Sequence, residues 1–230
     1  RIFLAHRGAR LHALDAETGL PCSDFGTAGE VDLTLGVARV RDPDYQRPNY
    51  GVTSPPVTMG DLVVIGSAIG DNQWVEDATG VVRAYDARSG ALRWAWDPVP
   101  PEAGAKRPSH EGYTLGTANV WAPMSVDEER GLLFVPTGNT SPDYYGGHRN
   151  GSDYYSSSVV ALSAETGEVV WGPEKGVGHG SAGIVYADGH LVFRYQSGHV
   201  ALIDNQDRIV GYVIEEARRR LALRAARQIA

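Results

Sequence analysis

Apolar residues in this chain gather in short runs bounded by turn formers. Asp61-Leu-Val-Val-Ile-Gly66, Gly131-Leu-Leu-Phe-Val135 and Gly189-His-Leu-Val-Phe-Arg194 are examples. Short apolar or alternating runs closed by Gly and Asp predict strands rather than helices. Helical periodicity arrives only in the stretch 214–230, IEEARRRLALRAARQIA. There strong helix formers carry acids first and arginines afterwards, the order a helix dipole favours. This predicts a short amphipathic helix, read as a terminal cap in preference to a membrane- or partner-binding helix.

The strand pattern repeats. Ala13-Leu-Asp-Ala-Glu-Thr-Gly19, Ala84-Tyr-Asp-Ala-Arg-Ser-Gly90 and Ala161-Leu-Ser-Ala-Glu-Thr-Gly167 align without gaps, and Trp94 and Trp171 follow the last two. A weaker fourth copy, Ala201-Leu-Ile-Asp-Asn-Gln, lacks the glycine and the tryptophan. In each copy a strand ends at Asp or Ser, a glycine able to take positive φ closes the turn, and a second strand returns. Together with the strands before them, these hairpins predict an all-β architecture of four-stranded propeller blades over residues 1–213, with the helix 214–230 appended. Asp15, Asp86, Ser163 and Asp204 are separated by 71, 77 and 41 residues, so the first two intervals must hold long excursions. These fall at Val37 to Tyr50, Pro98 to Gly116 and Thr140 to Ser156, all rich in Pro, Gly, Tyr, Asn and Asp. Long loops on a rigid scaffold are where ligands bind.

Composition narrows the function classes. A chain of 230 residues suffices for one all-β domain, and 28 Gly, 13 Pro and 11 Tyr suit many short strands and turns. The formal charge is −7, and the 21 Lys and Arg are scattered, which argues against nucleic-acid binding. The lone Cys22 has no disulfide partner and no metal-ligand spacing, and reads as a small half-buried side chain. No apolar run approaches the ~20 residues that span a bilayer, and Arg1-Ile-Phe-Leu does not open a signal peptide. The chain is expected to be soluble, or to have its export signal outside this sequence.

The repeat Ala-x-Asp-Ala-x-Thr-Gly followed by Trp resembles the tryptophan-docking motif of pyrroloquinoline quinone (PQQ) dehydrogenases, a family of eight-bladed propellers. The resemblance extends from Arg1 to about Trp171 and leans toward the membrane-bound glucose dehydrogenase subgroup. It is carried by RIFLAHRGARLHALDAETGLPC, TSPPVTMGDLVVIGSAIGDN, GVVRAYDARSGALRWAWDP, NVWAPMSVD and VPTGNTSPDYYGGHRNGSDYYSSSVVALSAETGEVVW. Roughly four blades are expected, so a ring could not close within the chain. Open sheet edges and an apolar flank would then promote association.

The resemblance implies a cofactor site. Trp121, in Asn119-Val-Trp-Ala-Pro123, matches the tryptophan on which PQQ stacks, and a planar tricyclic ligand needs such a flat floor. Asp71 stands where the family places an acidic ligand of a divalent cation, and the pair Asp71-Asn72 is typical of the glucose dehydrogenase subgroup. Asn139 matches a second metal ligand, and Thr53 matches a side chain that hydrogen-bonds the cofactor. Hard oxygen donors of this kind suit Ca2+ or Mg2+. Asp143, Tyr144, Tyr145, Gly146 and Gly147 resemble a loop beside the substrate pocket, and read equally well as a Pro-initiated turn with surface aromatics.

The implied activity is oxidation of the CH–OH group of a sugar or polyol, with electrons leaving to a quinone or other acceptor, in the periplasm. A carboxylate base belongs shortly after the Trp171 strand. The sequence there is Gly172-Pro-Glu-Lys-Gly-Val-Gly-His-Gly180, in which neither Glu174 nor His179 matches, so the catalytic group is left unassigned. The lysine that assists the quinone likewise has no counterpart. From Gly178 onward the chain resembles the PQQ-like repeat of non-enzymatic propellers, with His179, His190 and His199 as scattered strand and turn residues. Two further readings stay open: a non-catalytic binding or scaffold propeller, and a truncated frame.

Overall fold

The computed structural model describes residues 1–37, 50–70, 78–99, 113, 118–142, 145–149, 153–174, 182–195, 197–204 and 209–213. The chain divides into two compact units, 1–173 and 174–230. The helix expected over 214–230 lies outside the described residues.

In the first unit, β1 (Ile2–His6), β2 (Arg10–Leu14) and β3 (Glu30–Asp32) form a three-stranded antiparallel sheet. Next come β4 (Tyr50–Gly51), β5 (Val57–Met59), β6 (Leu62–Ile65), β7 (Ala68–Ile69), β8 (Val82–Asp86) and β9 (Leu92–Trp96). Of these, β5-β6-β8-β9 make a four-stranded sheet, while β4 and β7 pair as a short ribbon. A further four-stranded sheet follows, β10 (Ser125–Asp127), β11 (Leu132–Pro136), β12 (Val159–Ser163) and β13 (Val169–Glu174), with one 3-10 turn at Gly146–His148 between β11 and β12. The second unit contributes β14 (Ala182–Ala187), β15 (His190–Tyr195), β16 (Val200–Asp204) and β17 (Ile209–Val213) in the same order, around buried Leu191, Phe193, Tyr195, Ala201 and Ile203. The all-β architecture read from the repeat is the one observed, with four-stranded sheets as expected except for the first, which has three strands among the described residues.

Each repeat turn forms as its residues require. Asp15 accepts the Thr18 backbone N–H and hydroxyl, both at 2.8 Å, and Asp86 accepts the same groups of Ser89 at 2.7 and 2.9 Å. Gly19, Gly90 and Gly167 close the three turns at φ of 70°, 73° and 70°, a region that favours glycine. The Trp94 indole N–H donates to the Ala164 carbonyl in the next sheet's turn, at 2.7 Å. Its ring lies so close to Gly167 that a Cβ there would meet Cε3 at 2.5 Å. The first repeat has no such tryptophan, and the Gly26 N–H takes over by donating to the Ser89 carbonyl at 2.8 Å.

The β5-β6-β8-β9 sheet is buried on both faces, and side-chain alternation sorts its residues between two cores. Val63, Ile65 and Tyr85 pack with Leu11, Ala13, Phe25 and Leu33 of the first sheet. Val64, Val82, Ala84, Trp94 and Trp96 pack with Leu133, Val135, Val160 and Leu162 of the third. Two-sided burial explains why Leu62 to Ile65 is a continuous apolar run.

Arg83 interrupts the apolar pattern. It is 1% exposed, yet its guanidinium faces no carboxylate within ion-pair distance among the described residues. Instead it donates to the carbonyls of Leu33 and Leu35 and, at 2.6 Å, to the Tyr50 hydroxyl. The rings of Tyr50 and Tyr85 lie 5.8 and 5.9 Å from its carbon. Burial raises the Tyr85 hydroxyl well above its usual range and shifts that of Tyr113 in the same direction, so both stay neutral. Arg83 thereby ties the carbonyl end of the first sheet and the start of β4 to β8.

Removing that cation leaves two carbonyls and a hydroxyl without their donor. Arg83→Met is expected to lower unfolding stability by on the order of 3 kcal/mol in urea titrations, and a loss under ~1 kcal/mol would refute this role. A second expectation concerns acid. Hydrogen bonds from the Thr18 hydroxyl and backbone hold the Asp15 carboxyl below its ordinary value of 3.8, and the Ser89 backbone and hydroxyl do the same for Asp86. A carboxyl depressed on folding adds stability above its unfolded pKa and loses it as pH falls through the folded one. The double variant Asp15→Asn, Asp86→Asn is therefore expected to be less stable than the parent at neutral pH, the gap closing as pH falls below the ordinary carboxyl value of 3.8 and through the lowered folded one. A gap that persists unchanged in acid would contradict the assignment.

Candidate functional site

The segment carrying Trp121 is laid against backbone. Ala118, Asn119 and Val120 are buried, and a side chain at Gly80 would collide with the Ala118 carbonyl and Asn119. On the other side the Gly138 N–H donates to the Asn119 carbonyl at 2.7 Å. A Cβ at Gly138 would stand 2.9 Å from Trp121 Nε1, so only glycine lets the indole edge settle there. Trp121 itself is 50% exposed although Val120 before it is fully buried. A large apolar side chain held by buried backbone and left half open presents a ready face for a ligand.

Two other candidates converge on it. Thr53 follows β4, exposed between buried Val52 and Ser54, and its hydroxyl donates to the Trp121 carbonyl at 3.1 Å. In this arrangement the hydroxyl proton serves the tryptophan backbone, and only the oxygen lone pairs remain for a ligand. Asn139 directly follows Gly138, is exposed, and accepts the Ser157 hydroxyl at Oδ1, at 3.3 Å. Thr53, Trp121 and Asn139, drawn from two sheets and the connection between them, are thus brought to one place. Asp71 and Asn72 come directly after β7 in sequence, and they lie outside the described residues.

The end of β11 is pinned by three consecutive serines. The Ser158 N–H donates to Thr137 Oγ1 at 3.0 Å and the Thr137 N–H to the Ser158 carbonyl at 2.8 Å. The Thr140 N–H donates to Ser156 Oγ at 3.0 Å. Ser156 and Ser158 are buried, whereas Ser157 between them is exposed on the side of Asn139. Neither Gly138 nor Ser157 stood out in the sequence, although both lie within the segment VPTGN…SSSVV that carried the resemblance. Their signal is spatial: one makes room for the indole, and the other reaches the amide.

Of the loop beside the expected substrate pocket, Asp143 and Tyr144 lie outside the described residues. Tyr145 is 63% exposed, and Gly146 and Gly147 enter the 3-10 turn, which Arg149 ties to the Pro142 carbonyl at 2.6 Å. Glu174 closes β13, and His179 is outside the described residues. His190 and His199 bond within their own turns, to the Asp188 carbonyl and Ser197 Oγ, each at 2.7 Å. Among the described residues no three His, Cys, Asp or Glu side chains cluster as a metal site. No helix among them is long and apolar enough to cross a membrane.

Chemically, the converged residues suit a flat ligand accompanied by a hard cation. An open indole face takes an aromatic ring, while a side-chain amide oxygen is a normal calcium or magnesium ligand. Comparison with known proteins gives the family. Residues 1–174 match the family model of the PQQ glucose/ethanol/alcohol dehydrogenase β-propeller domain. The quinate/shikimate dehydrogenase (quinone) of Acinetobacter baylyi is 39% identical over 172 residues, which cover 74% of this chain and 21% of that protein. The quinoprotein glucose dehydrogenase of Escherichia coli is 34% identical over 172 residues, with the same coverages. The chain therefore spans about one fifth of the length of these curated relatives. A quinohemoprotein alcohol dehydrogenase from Comamonas testosteroni shares the fold, with a TM-score of 0.65 at 20% identity, over 92% of this chain and 33% of that one.

The close approach of Gly138 to the indole sets a test. Gly138→Ala is expected to displace Trp121, seen as a changed near-ultraviolet circular dichroism signal. Because the indole is half exposed and can swing away, stability should fall by no more than ~1 kcal/mol. An unchanged aromatic signal would mean that the two residues do not touch.

Proposed function

Because the chain belongs to the PQQ family of glucose, ethanol and alcohol dehydrogenase β-propeller domains, we propose that it forms the cofactor-binding part of an oxidoreductase acting on the CH–OH group of a sugar or polyol. The observation that carries this reading is the half-open Trp121 indole set between Thr53 and the Gly138-Asn139 corner. The exposed ring would be the floor for PQQ, and Asn139 Oδ1 and Asp71 would be the residues to hold a calcium or magnesium ion. The sequence pair Asp71-Asn72 resembles the one that marks the glucose dehydrogenase subgroup. When bound, the quinone supplies a two-electron acceptor and the cation a Lewis acid for its carbonyl.

The chain's own residues bind and orient. Thr53 holds the backbone of Trp121 so that the ring presents one face, and the buried run Ala118 to Val120 keeps that face from turning inward. Stacking on a fixed surface sets the angle at which a substrate C–H would meet the quinone, and orientation of that kind is a large part of a hydride-transfer rate. No residue of the chain is assigned the removal of the hydroxyl proton. Electrons leave to a quinone or similar acceptor, and the periplasm is the proposed location. Support for a sugar or polyol over a simpler alcohol comes from the Asp71-Asn72 pair and from relatives named for glucose, quinate and glycerol.

Calorimetry of the chain with PQQ in the presence of calcium tests the proposal. The parent is expected to bind at micromolar concentration or better. Trp121→Ala should weaken binding tenfold or more, about 1.4 kcal/mol, while leaving the thermal midpoint nearly unchanged, since the ring is half exposed. No binding by the parent, or equal binding by the variant, would overturn the cofactor site and favour a scaffold role.

A further inference from the structure

Among the described residues four non-glycine residues adopt positive φ, and one of them, Ser157 at φ 51°, touches a candidate ligand. A side chain in this left-handed region costs on the order of 1 kcal/mol or more, and such strain persists where surrounding structure imposes it. Here the imposing structure is visible. Ser156 and Ser158 are anchored to Thr140 and Thr137 on the buried side, so the residue between them must turn the chain outward as it enters β12. The Ser157 N–H then donates to the Gly138 carbonyl at 3.0 Å, while its hydroxyl donates to Asn139 Oδ1 at 3.3 Å.

The geometry points to Ser157 as a positioning residue for Asn139. A left-handed backbone aims its hydroxyl at the amide oxygen, which fixes the end of the amide presented at the cofactor site. This inference rests on the reading of Asn139 as a cation ligand. An amide free to rotate would offer a cation Oδ1 or the unsuitable Nδ2 in turn. The hydrogen bond from Ser157 marks the Oδ1 end, and an amide oxygen, with two lone pairs, can accept such a bond and ligate a cation as well. Partners of this kind, one bond removed from a metal, commonly change its affinity 10- to 100-fold.

Two substitutions separate the hydroxyl from the strain. Ser157→Gly removes both, whereas Ser157→Ala removes only the hydroxyl. Both are expected to weaken calcium binding about tenfold or more, titrated calorimetrically into the chain holding PQQ. The glycine variant should melt on the order of 1–4 °C above the alanine variant. In the chain without calcium or PQQ, both should shift the Asn139 side-chain amide resonances. Normal calcium affinity in Ser157→Gly, with the parent binding well, would overturn the inference and leave the proposed function intact. Failure of the parent itself to bind calcium with PQQ would overturn that function and the inference with it.

Discussion

Burial of both faces of the β5-β6-β8-β9 sheet is the constraint on which the first unit depends. A sheet flanked on each side by another must send alternate side chains into two separate cores, so a shift of one residue in β6 or β8 would exchange the contents of both. Val63 and Tyr85 on one side, Val64 and Ala84 on the other, hold that register. Polar links reinforce it at each interface. Arg83 grips the carbonyls of Leu33 and Leu35 toward the first sheet, and the Trp94 indole grips the Ala164 carbonyl of the third.

The candidate site inherits its precision from this packing. The segment Ala118 to Trp121 lies where the second and third sheets meet, and glycines at 80 and 138 let its backbone come within contact of both. A side chain at either position would push the tryptophan away. Thr53 reaches the same segment from the end of β4, itself tied to the core through Tyr50 and Arg83. Distance between the flat floor and the amide of Asn139 is therefore governed by sheet packing, not by loop conformation.

Much of this was legible beforehand. Asp15, Asp86 and their hydroxyl partners carry turn chemistry that acts over four residues, so the hairpins could be read without any tertiary context. The tryptophans announced docking, though not that Gly26 would replace one of them at the first interface. Thr53, Trp121 and Asn139 were recognised by resemblance, and their convergence follows from how the sheets pack. Arg83, Gly138 and Ser157 were missed for a common reason: their importance lies in neighbours 17 to 50 positions away.

By itself, then, the sequence determined what short-range forces decide: strand positions, turns closed by positive-φ glycines, and the blade repeat. It also carried, through its motifs, membership of a quinoprotein family. Only the tertiary structure decided that Ser157 faces Asn139 while its neighbours face the core, and that the buried Arg83 guanidinium is held by carbonyls and tyrosines among the described residues. Both outcomes depend on which backbone groups approach across sheets, a property of packing that local propensity does not encode.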